Sequence, residues 1–220
     1  MPLSDRLQQI KAQLLPPVTL IAVSKTKPVS DIMEAYQAGL RHFGENRVQE
    51  LLEKVNKLPT DIKWHLVGHL QTNKVKYIAS FIHLIHSVDS LKLLETIHKE
   101  AAINNRIIDC LLQVYIAREE TKFGLSDSEL MQLIDSDKFK ELKNIRIAGL
   151  MGMATFTDDM EQVRKEFAYL KNLFELVKQK YFIKNPWFKE ISMGMSGDYL
   201  IAIREGSTMV RIGSLIFGER

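Results

Sequence analysis

Lys25 is the residue of this chain whose position most invites a chemical explanation. An apolar run over Thr19–Val23 predicts a buried strand, and that strand delivers Lys25 to its end, just before Pro28 and Val29 begin a helical pattern. A lysine amine at such a place can capture an aldehyde as a Schiff base. The alternative is a solvated charge at a strand end, which is the commoner arrangement for a lone lysine.

Capture of an aldehyde requires a neutral amine, and this sets a condition on the surroundings of Lys25. The ordinary pKa of lysine, about 10.4, would have to fall by roughly three units, or about 4 kcal/mol, for an appreciable neutral fraction at pH 7. Partial burial and a second cation are the available causes, and Lys27 and Arg211 are the candidate cations.

Two loops rich in glycine and serine near the end of the chain predict a phosphate site. They contain Gly194, Ser196, Gly197, Gly213 and Ser214. Glycines let backbone N–H groups approach an anion closely, and serine hydroxyls add donors. Together with an aldehyde-capturing lysine, these loops indicate a phosphorylated carbonyl compound, either pyridoxal 5′-phosphate or a sugar phosphate.

Arg211 lies just before the second of these loops. Its guanidinium stays charged and donates in a fixed fork, so it could bind the phosphate or face a ring nitrogen. A salt bridge to a carboxylate such as Glu45 or Asp198 is the alternative that spacing leaves open.

The elements that must position these residues alternate between short apolar runs and longer amphipathic segments. Eight runs predict strands, at 19–23, 42–44, 64–67, 84–88, 107–116, 145–151, 190–193 and 208–212. Repeated strand–helix units build a parallel sheet, and about eight of them favour a closed barrel over an open doubly wound sheet, the alternative. We therefore predict an α/β protein in which residues 1–220 form a single TIM-type (β/α)8 barrel with an additional N-terminal helix. In such barrels the site lies at the carboxyl ends of the strands.

Composition narrows the class of function. The chain has 220 residues, of which 45% are hydrophobic, and a net charge of +3 without the clustered basic residues that nucleic-acid binding requires. No apolar run approaches the length of a membrane span. Cys110 is the single cysteine, which excludes an intramolecular disulfide and indicates a reducing, cytoplasmic location. Five histidines form no close i, i+4 pair with a carboxylate partner, so we expect no metal site at His42, His65, His83, His86 or His98.

Seven segments, which are spread over nearly the whole chain, together resemble the pyridoxal phosphate homeostasis protein family. The matching segments are 22–28, 43–46, 64–68, 70–74, 86–89, 192–198 and 205–220. The resemblance implies a barrel like the N-terminal domain of alanine racemase. By the same resemblance, Lys25 carries pyridoxal 5′-phosphate as an aldimine and Asn46 lies near the cofactor. The resemblance also implies that the phosphate is held by Ser196, Gly213 and Ser214, and that Arg211 faces the pyridine nitrogen. Finally, it implies that Lys27 and Lys122 modulate cofactor handling.

Some positions depart from the pattern of that family. His69 stands where many members have proline, Tyr115 where asparagine is common, and Phe123 where a small residue is common; Ser214 replaces a threonine but keeps the hydroxyl. We expect His69 and Tyr115 to change contacts beside the cofactor ring and to leave the Lys25 link and the phosphate loops intact.

The function implied is a carrier of pyridoxal phosphate in intracellular homeostasis, without turnover of its own. We expect a monomer that serves apo-enzymes and binds neither nucleic acid nor membrane. An arginine opposite the ring nitrogen makes the ring a weaker electron sink. A racemase also needs acid–base groups on both faces of the substrate carbon, and we expect no second domain to supply one. The alternatives are a small pyridoxal phosphate-dependent amino-acid racemase and, more distantly, a sugar phosphate aldolase.

Overall fold

Eight parallel strands form a closed barrel in the computed structural model, which describes residues 1–14, 17–117 and 123–219. The strands follow one another around the barrel in chain order. They are β1 (Thr19–Val23), β2 (His42–Glu45), β3 (Lys63–Leu66), β4 (Leu84–Val88), β5 (Ile108–Gln113), β6 (Ile145–Met151), β7 (Glu190–Met195) and β8 (Met209–Ile212).

Pairing between the first and the last strand decides between the two predicted architectures. Thr19 of β1 stands opposite Met209 of β8, and the register continues to Ala22 opposite Ile212. An open sheet would leave these two edges unpaired. The prediction of a TIM-type (β/α)8 barrel with an added N-terminal helix is therefore confirmed.

Helices cover the outside of the barrel and connect successive strands. They are α1 (Leu3–Gln13), α2 (Val29–Gln37), α3 (Val48–Val55), α4 (Val75–Ile78, after a 3-10 turn over Thr72–Lys74), α5 (Leu91–Ile103), α6 (Asp127–Asp135), α7 (Asp137–Glu141), α8 (Met160–Tyr181), α9 (Tyr199–Arg204) and α10 (Ser214–Phe217).

Lys122 lies outside the described residues, so its predicted role stays a prediction.

The apolar core has two parts. The larger cluster packs strands against helices, and residues such as Phe43 and Phe167 are fully buried in it. The smaller cluster is made of strand residues that face one another across the barrel interior. Its members are Ile21, Leu84, Leu111, Ala148, Met151 and Met209. No helix among the described residues is long and apolar enough to cross a membrane.

Candidate functional site

All six predicted binding residues line one cavity of about 640 Å³ at the carboxyl ends of the strands. They are Lys25, Asn46, Ser196, Arg211, Gly213 and Ser214. These residues come from the segments after β1, β2 and β7 and from β8 and the residues that follow it. The barrel thus brings together positions that are up to 189 residues apart in the chain, counting from Lys25 to Ser214.

Lys25 is held by its two neighbours in the chain. The hydroxyl of Ser24 donates to Oε1 of buried Glu45 (2.6 Å), and the amide N–H of Thr26 donates to Oε1 of Glu50 (2.5 Å). Thr26 has a φ of 65°, a left-handed conformation that a β-branched residue adopts only when its surroundings enforce it. The backbone on both sides of Lys25 is therefore fixed, and the lysine leaves β1 toward the cavity.

Lys54, in α3, links these two anchors. Its ammonium donates to Oε1 of Glu45 (2.8 Å), to Oε1 of Glu50 (2.6 Å) and to the carbonyl oxygen of Ser24 (2.8 Å). The side chains of Lys54 and Glu45 are 7% and 0% exposed. Burial raises the pKa of the Glu45 carboxyl, while the hydrogen bonds from Lys54 and Ser24 oppose that rise.

Arg211, on β8, is a buried cation beneath the cavity. Its guanidinium donates to the Ser192 hydroxyl (2.5 Å) and to the carbonyl oxygen of Gly152 (3.1 Å). Burial lowers the pKa of Arg211 to about 10, although the negative charge of Asp198 acts to raise it, so the side chain stays charged at neutral pH. Glu45 pairs with Lys54 and not with Arg211, which removes one of the two salt bridges that spacing left open.

The two glycine- and serine-containing loops meet as the phosphate hypothesis requires. The hydroxyl of Ser196 accepts a hydrogen bond from the amide N–H of Gly213 (3.3 Å), which joins the loop after β7 to the end of β8. A Cβ at Gly213 would lie 3.1 Å from the carbonyl oxygen of Val23, so a side chain there would crowd β1. Ser214 is exposed and begins α10. Hydroxyl and backbone N–H donors close to one another suit the oxygens of a phosphate group.

Asn46 reaches the cavity because Gly68 lets two loops come close. A Cβ at Gly68 would lie 2.4 Å from the carbonyl oxygen of Asn46, so only a residue without a side chain fits against this backbone. The segment after β3 therefore packs directly on the segment after β2 and fixes Asn46 at the rim.

A further wall of the cavity comes from the sixth strand–helix unit, and its residues Thr155 and Asp158 were not predicted. The segment after β6 contributes Met153, Thr155 and Asp158 to the lining. Thr155 is tied to Glu166 of α8, since its N–H and hydroxyl donate to the two carboxylate oxygens at 2.7 and 2.8 Å. This segment follows a strand end, as barrel sites require, but its residue types carry no signal for a particular ligand.

Two of the departures from the family pattern lie apart from the cavity. His69 stacks on Phe123, with ring centroids 5.0 Å apart, and its imidazole lies 3.5 Å from the carboxylate of Asp89. Neither His69 nor Tyr115 is among the described residues that line the cavity. Lys27 does line it, and its ammonium donates to the carbonyl oxygens of Phe217 and Glu219 (3.2 and 3.0 Å).

Comparison with known proteins gives consistent matches. The family model of the N-terminal domain of alanine racemase matches residues 2–220. A pyridoxal phosphate homeostasis protein of Aquifex aeolicus is 43% identical over 91% of this chain and 86% of its own length.

Solved structures match over the same span. PipY of Synechococcus elongatus, determined with pyridoxal phosphate bound, is 37% identical with a TM-score of 0.89, and covers 99% of this chain and 100% of its own. The same protein without pyridoxal phosphate has a TM-score of 0.92 at 36% identity, with the same coverage of both chains. An alanine racemase of Clostridium difficile shares the fold, with a TM-score of 0.73 at 16% identity over 99% of this chain and 56% of the racemase.

Proposed function

Since the chain carries the alanine racemase N-terminal domain and belongs to the family of the pyridoxal phosphate homeostasis proteins, we propose that it binds pyridoxal 5′-phosphate through Lys25. One observation supports this most strongly. A lysine, a buried arginine and two joined glycine- and serine-containing loops line one cavity. The relative PipY, whose structure with pyridoxal phosphate is known, supports the same cofactor.

Each lining residue has a defined part in this proposal. Pyridoxal phosphate would supply an aldehyde group when bound, and the amine of Lys25 would hold the cofactor through that group. Ser196, Gly213 and Ser214 donate hydrogen bonds to the phosphate oxygens. The guanidinium of Arg211 would lie beside the pyridine nitrogen and would disfavour its protonation, because a second cation there would be repelled.

The lining chemistry favours a carrier over an enzyme. Racemisation needs an acid–base group on the face of the substrate carbon opposite the lysine. Among the described residues that line the cavity there is no tyrosine and no histidine; the titratable acids are Asp158, Asp198 and Glu219. An unprotonated pyridine nitrogen is also a weaker electron sink. We therefore propose retention of the reactive aldehyde without turnover.

Release of the cofactor to other proteins completes the proposed role. Thr26, Gly197 and Ser214 are exposed at the cavity rim, so a bound cofactor would be reachable from solvent. We propose that apo-enzymes receive pyridoxal phosphate from a monomer of this chain. The single buried thiol, Cys110, supports the cytoplasm as the place where this occurs.

A titration with pyridoxal phosphate tests this proposal. The wild-type chain should bind one equivalent and develop the visible absorbance of a lysine-linked cofactor. Lys25→Ala should lose that absorbance, whereas Lys140→Ala, which changes an exposed lysine of α7, should keep it. Equal absorbance in Lys25→Ala would overturn the proposed attachment.

A panel of single-enantiomer amino acids tests the absence of turnover. We expect the loaded wild-type protein to leave their optical rotation unchanged. Racemisation that disappears in Lys25→Ala would overturn the carrier role and favour the racemase.

A further inference from the structure

Three histidines come together at the end of the barrel opposite the cavity. His42 begins β2, His65 lies within β3 and His83 immediately precedes β4. Because these strands are parallel neighbours, their amino-terminal ends share one mouth of the barrel. One ring nitrogen from each histidine lies within 4.8 Å of those from the other two.

In contrast to the expectation from sequence spacing, we propose that His42, His65 and His83 form a binding site for a divalent transition metal ion of the Zn²⁺ class. Three imidazoles with a fourth position open to water are a common ligand set for zinc. His42 and His83 are half-buried, whereas His65 is fully buried. An ion would therefore enter from solvent past His42 and His83.

The distances are compatible with this ligand set. Nδ1 of His42 and Nε2 of His65 are 2.9 Å apart and share a hydrogen bond. Zinc–nitrogen bonds of about 2.0–2.1 Å in tetrahedral geometry place the nitrogens about 3.4 Å apart. A metal ion would replace the shared proton, and the imidazole that gives it up would carry its proton on its other ring nitrogen. The first pair would open by about half an ångström, and His83 would move toward the ion.

Charged groups around the cluster act on a bound cation in both directions. The exposed ammonium of Lys63 acts on all three histidines and opposes a cation there, and Arg106 and Arg146 act on His83 in the same sense. The carboxylate of Asp109 acts on His83 in the opposite sense and favours a cation. The proposal therefore depends on the positions of the three ring nitrogens.

A second layer of hydrogen bonds orients the central ligand. Nδ1 of His65 lies 2.9 Å from Nε2 of His86, and Nδ1 of His86 lies 2.9 Å from the Ser192 hydroxyl, which also accepts from Arg211. If Nε2 of His65 binds the metal, its proton must sit on Nδ1 and point at His86. His86 then carries its own proton on Nδ1, toward Ser192. Such partners orient the ligands of known metal sites.

Titration with Co²⁺ as the probe tests the site independently of pyridoxal phosphate. The sample is the full chain without an affinity tag or cofactor, treated with a chelator. We expect one equivalent to bind with the visible absorption of four-coordinate cobalt, and one equivalent of Zn²⁺ to displace it. His42→Ala and His83→Ala should weaken binding by more than about 100-fold, a larger loss than outer partners cause. His69→Ala, which changes an exposed histidine outside the cluster, should leave it unchanged.

Failure to bind Co²⁺, or equal binding by His42→Ala and His83→Ala, would overturn the proposal. Nitrogen-15 spectra of the wild-type imidazoles give a second test that does not depend on how the variants fold. Zn²⁺ should shift the ring nitrogens of His42, His65 and His83 and leave those of His69 and His98 in place. Shifts confined to His69 or His98 would show adventitious surface binding and would contradict the site.

Discussion

The buried pair of Lys54 and Glu45 beneath Lys25 yields a prediction whose size follows from the structure. Lys54→Met removes an ammonium that is bonded to Glu45, Glu50 and the carbonyl oxygen of Ser24. Glu45 has no exposed side-chain surface, and its Oε2 has no hydrogen-bond partner in the described part of the chain. Leaving that carboxylate without its cation should cost about 3–5 kcal/mol of unfolding free energy at pH 8.

The cost should depend on pH in a defined direction. Burial already raises the pKa of Glu45, and loss of Lys54 removes two influences that oppose the rise. The folded state then binds a proton more readily than the unfolded state, whose glutamate pKa is about 4.3. Stability is therefore retained at low pH and lost as the pH rises through the folded pKa of Glu45. Lys54→Met should be far less destabilised at pH 5 than at pH 8.

Urea unfolding at the two pH values, followed by tryptophan fluorescence, measures both effects, since Trp64 is buried in the folded state. Glu45→Gln combined with Lys54→Met should recover part of the loss at pH 8, because the orphaned charge is gone. Lys140→Met serves as the control. It removes an exposed ion pair with Asp137 and should cost less than about 1 kcal/mol at either pH. This reasoning would be refuted if Lys54→Met lost less than about 1 kcal/mol of unfolding free energy at pH 8, or if the loss were the same at pH 5 and pH 8.

Three further predictions concern the cavity and the core. Gly68→Ala forces a Cβ against the backbone of Asn46 and should cost about 1–3 kcal/mol in thermal unfolding, whereas Gly197→Ala, with open space around its Cβ, should cost little. Burial raises the pKa of the Cys110 thiol, so Ellman's reagent should label it only after unfolding; rapid labelling of the native protein would be inconsistent with the core. Arg211→Gln removes the proposed charged partner of the pyridine nitrogen and should weaken pyridoxal phosphate binding in an absorbance titration by about 10- to 100-fold, from a hydrogen bond of roughly 1.5–3 kcal/mol.

The barrel and the residues that line its cavity could be predicted from sequence because both follow from local patterns. Buried parallel strands are short apolar runs, and their number indicated closure. Once strand ends are known, the barrel rule places the residues that follow them at one mouth. Lys25 and Asn46 were placed at the cavity in this way.

The supporting contacts could not be predicted, because they depend on geometry between distant elements. Lys54 and Glu50 have the i, i+4 spacing of an ordinary exposed helix pair, and nothing local shows that the ammonium turns inward to Glu45. The histidine cluster likewise requires the relative register of three strands. His42, His65 and His83 are separated by 23 and 18 residues, which matches no ligand motif.

Helices α7 and α10 could not be predicted for a different reason. Helix α7 has five residues, too few for a 3.6-residue period to appear. Its one local signal is Ser136, whose hydroxyl caps the helix by accepting from the amide of Phe139. Helix α10 has four residues and no side-chain cap, so its sequence carries no comparable signal.

The most direct test of the central claim is to locate the covalent attachment itself. The full chain is loaded with pyridoxal phosphate, reduced with borohydride so that the C=N bond becomes stable, digested and mapped by mass spectrometry. We predict that the added mass lies on Lys25 and that Lys25→Ala, treated identically, carries none. Attachment at Lys27 or at surface lysines, or an equal yield in Lys25→Ala, would contradict the claim that this chain binds the cofactor through Lys25.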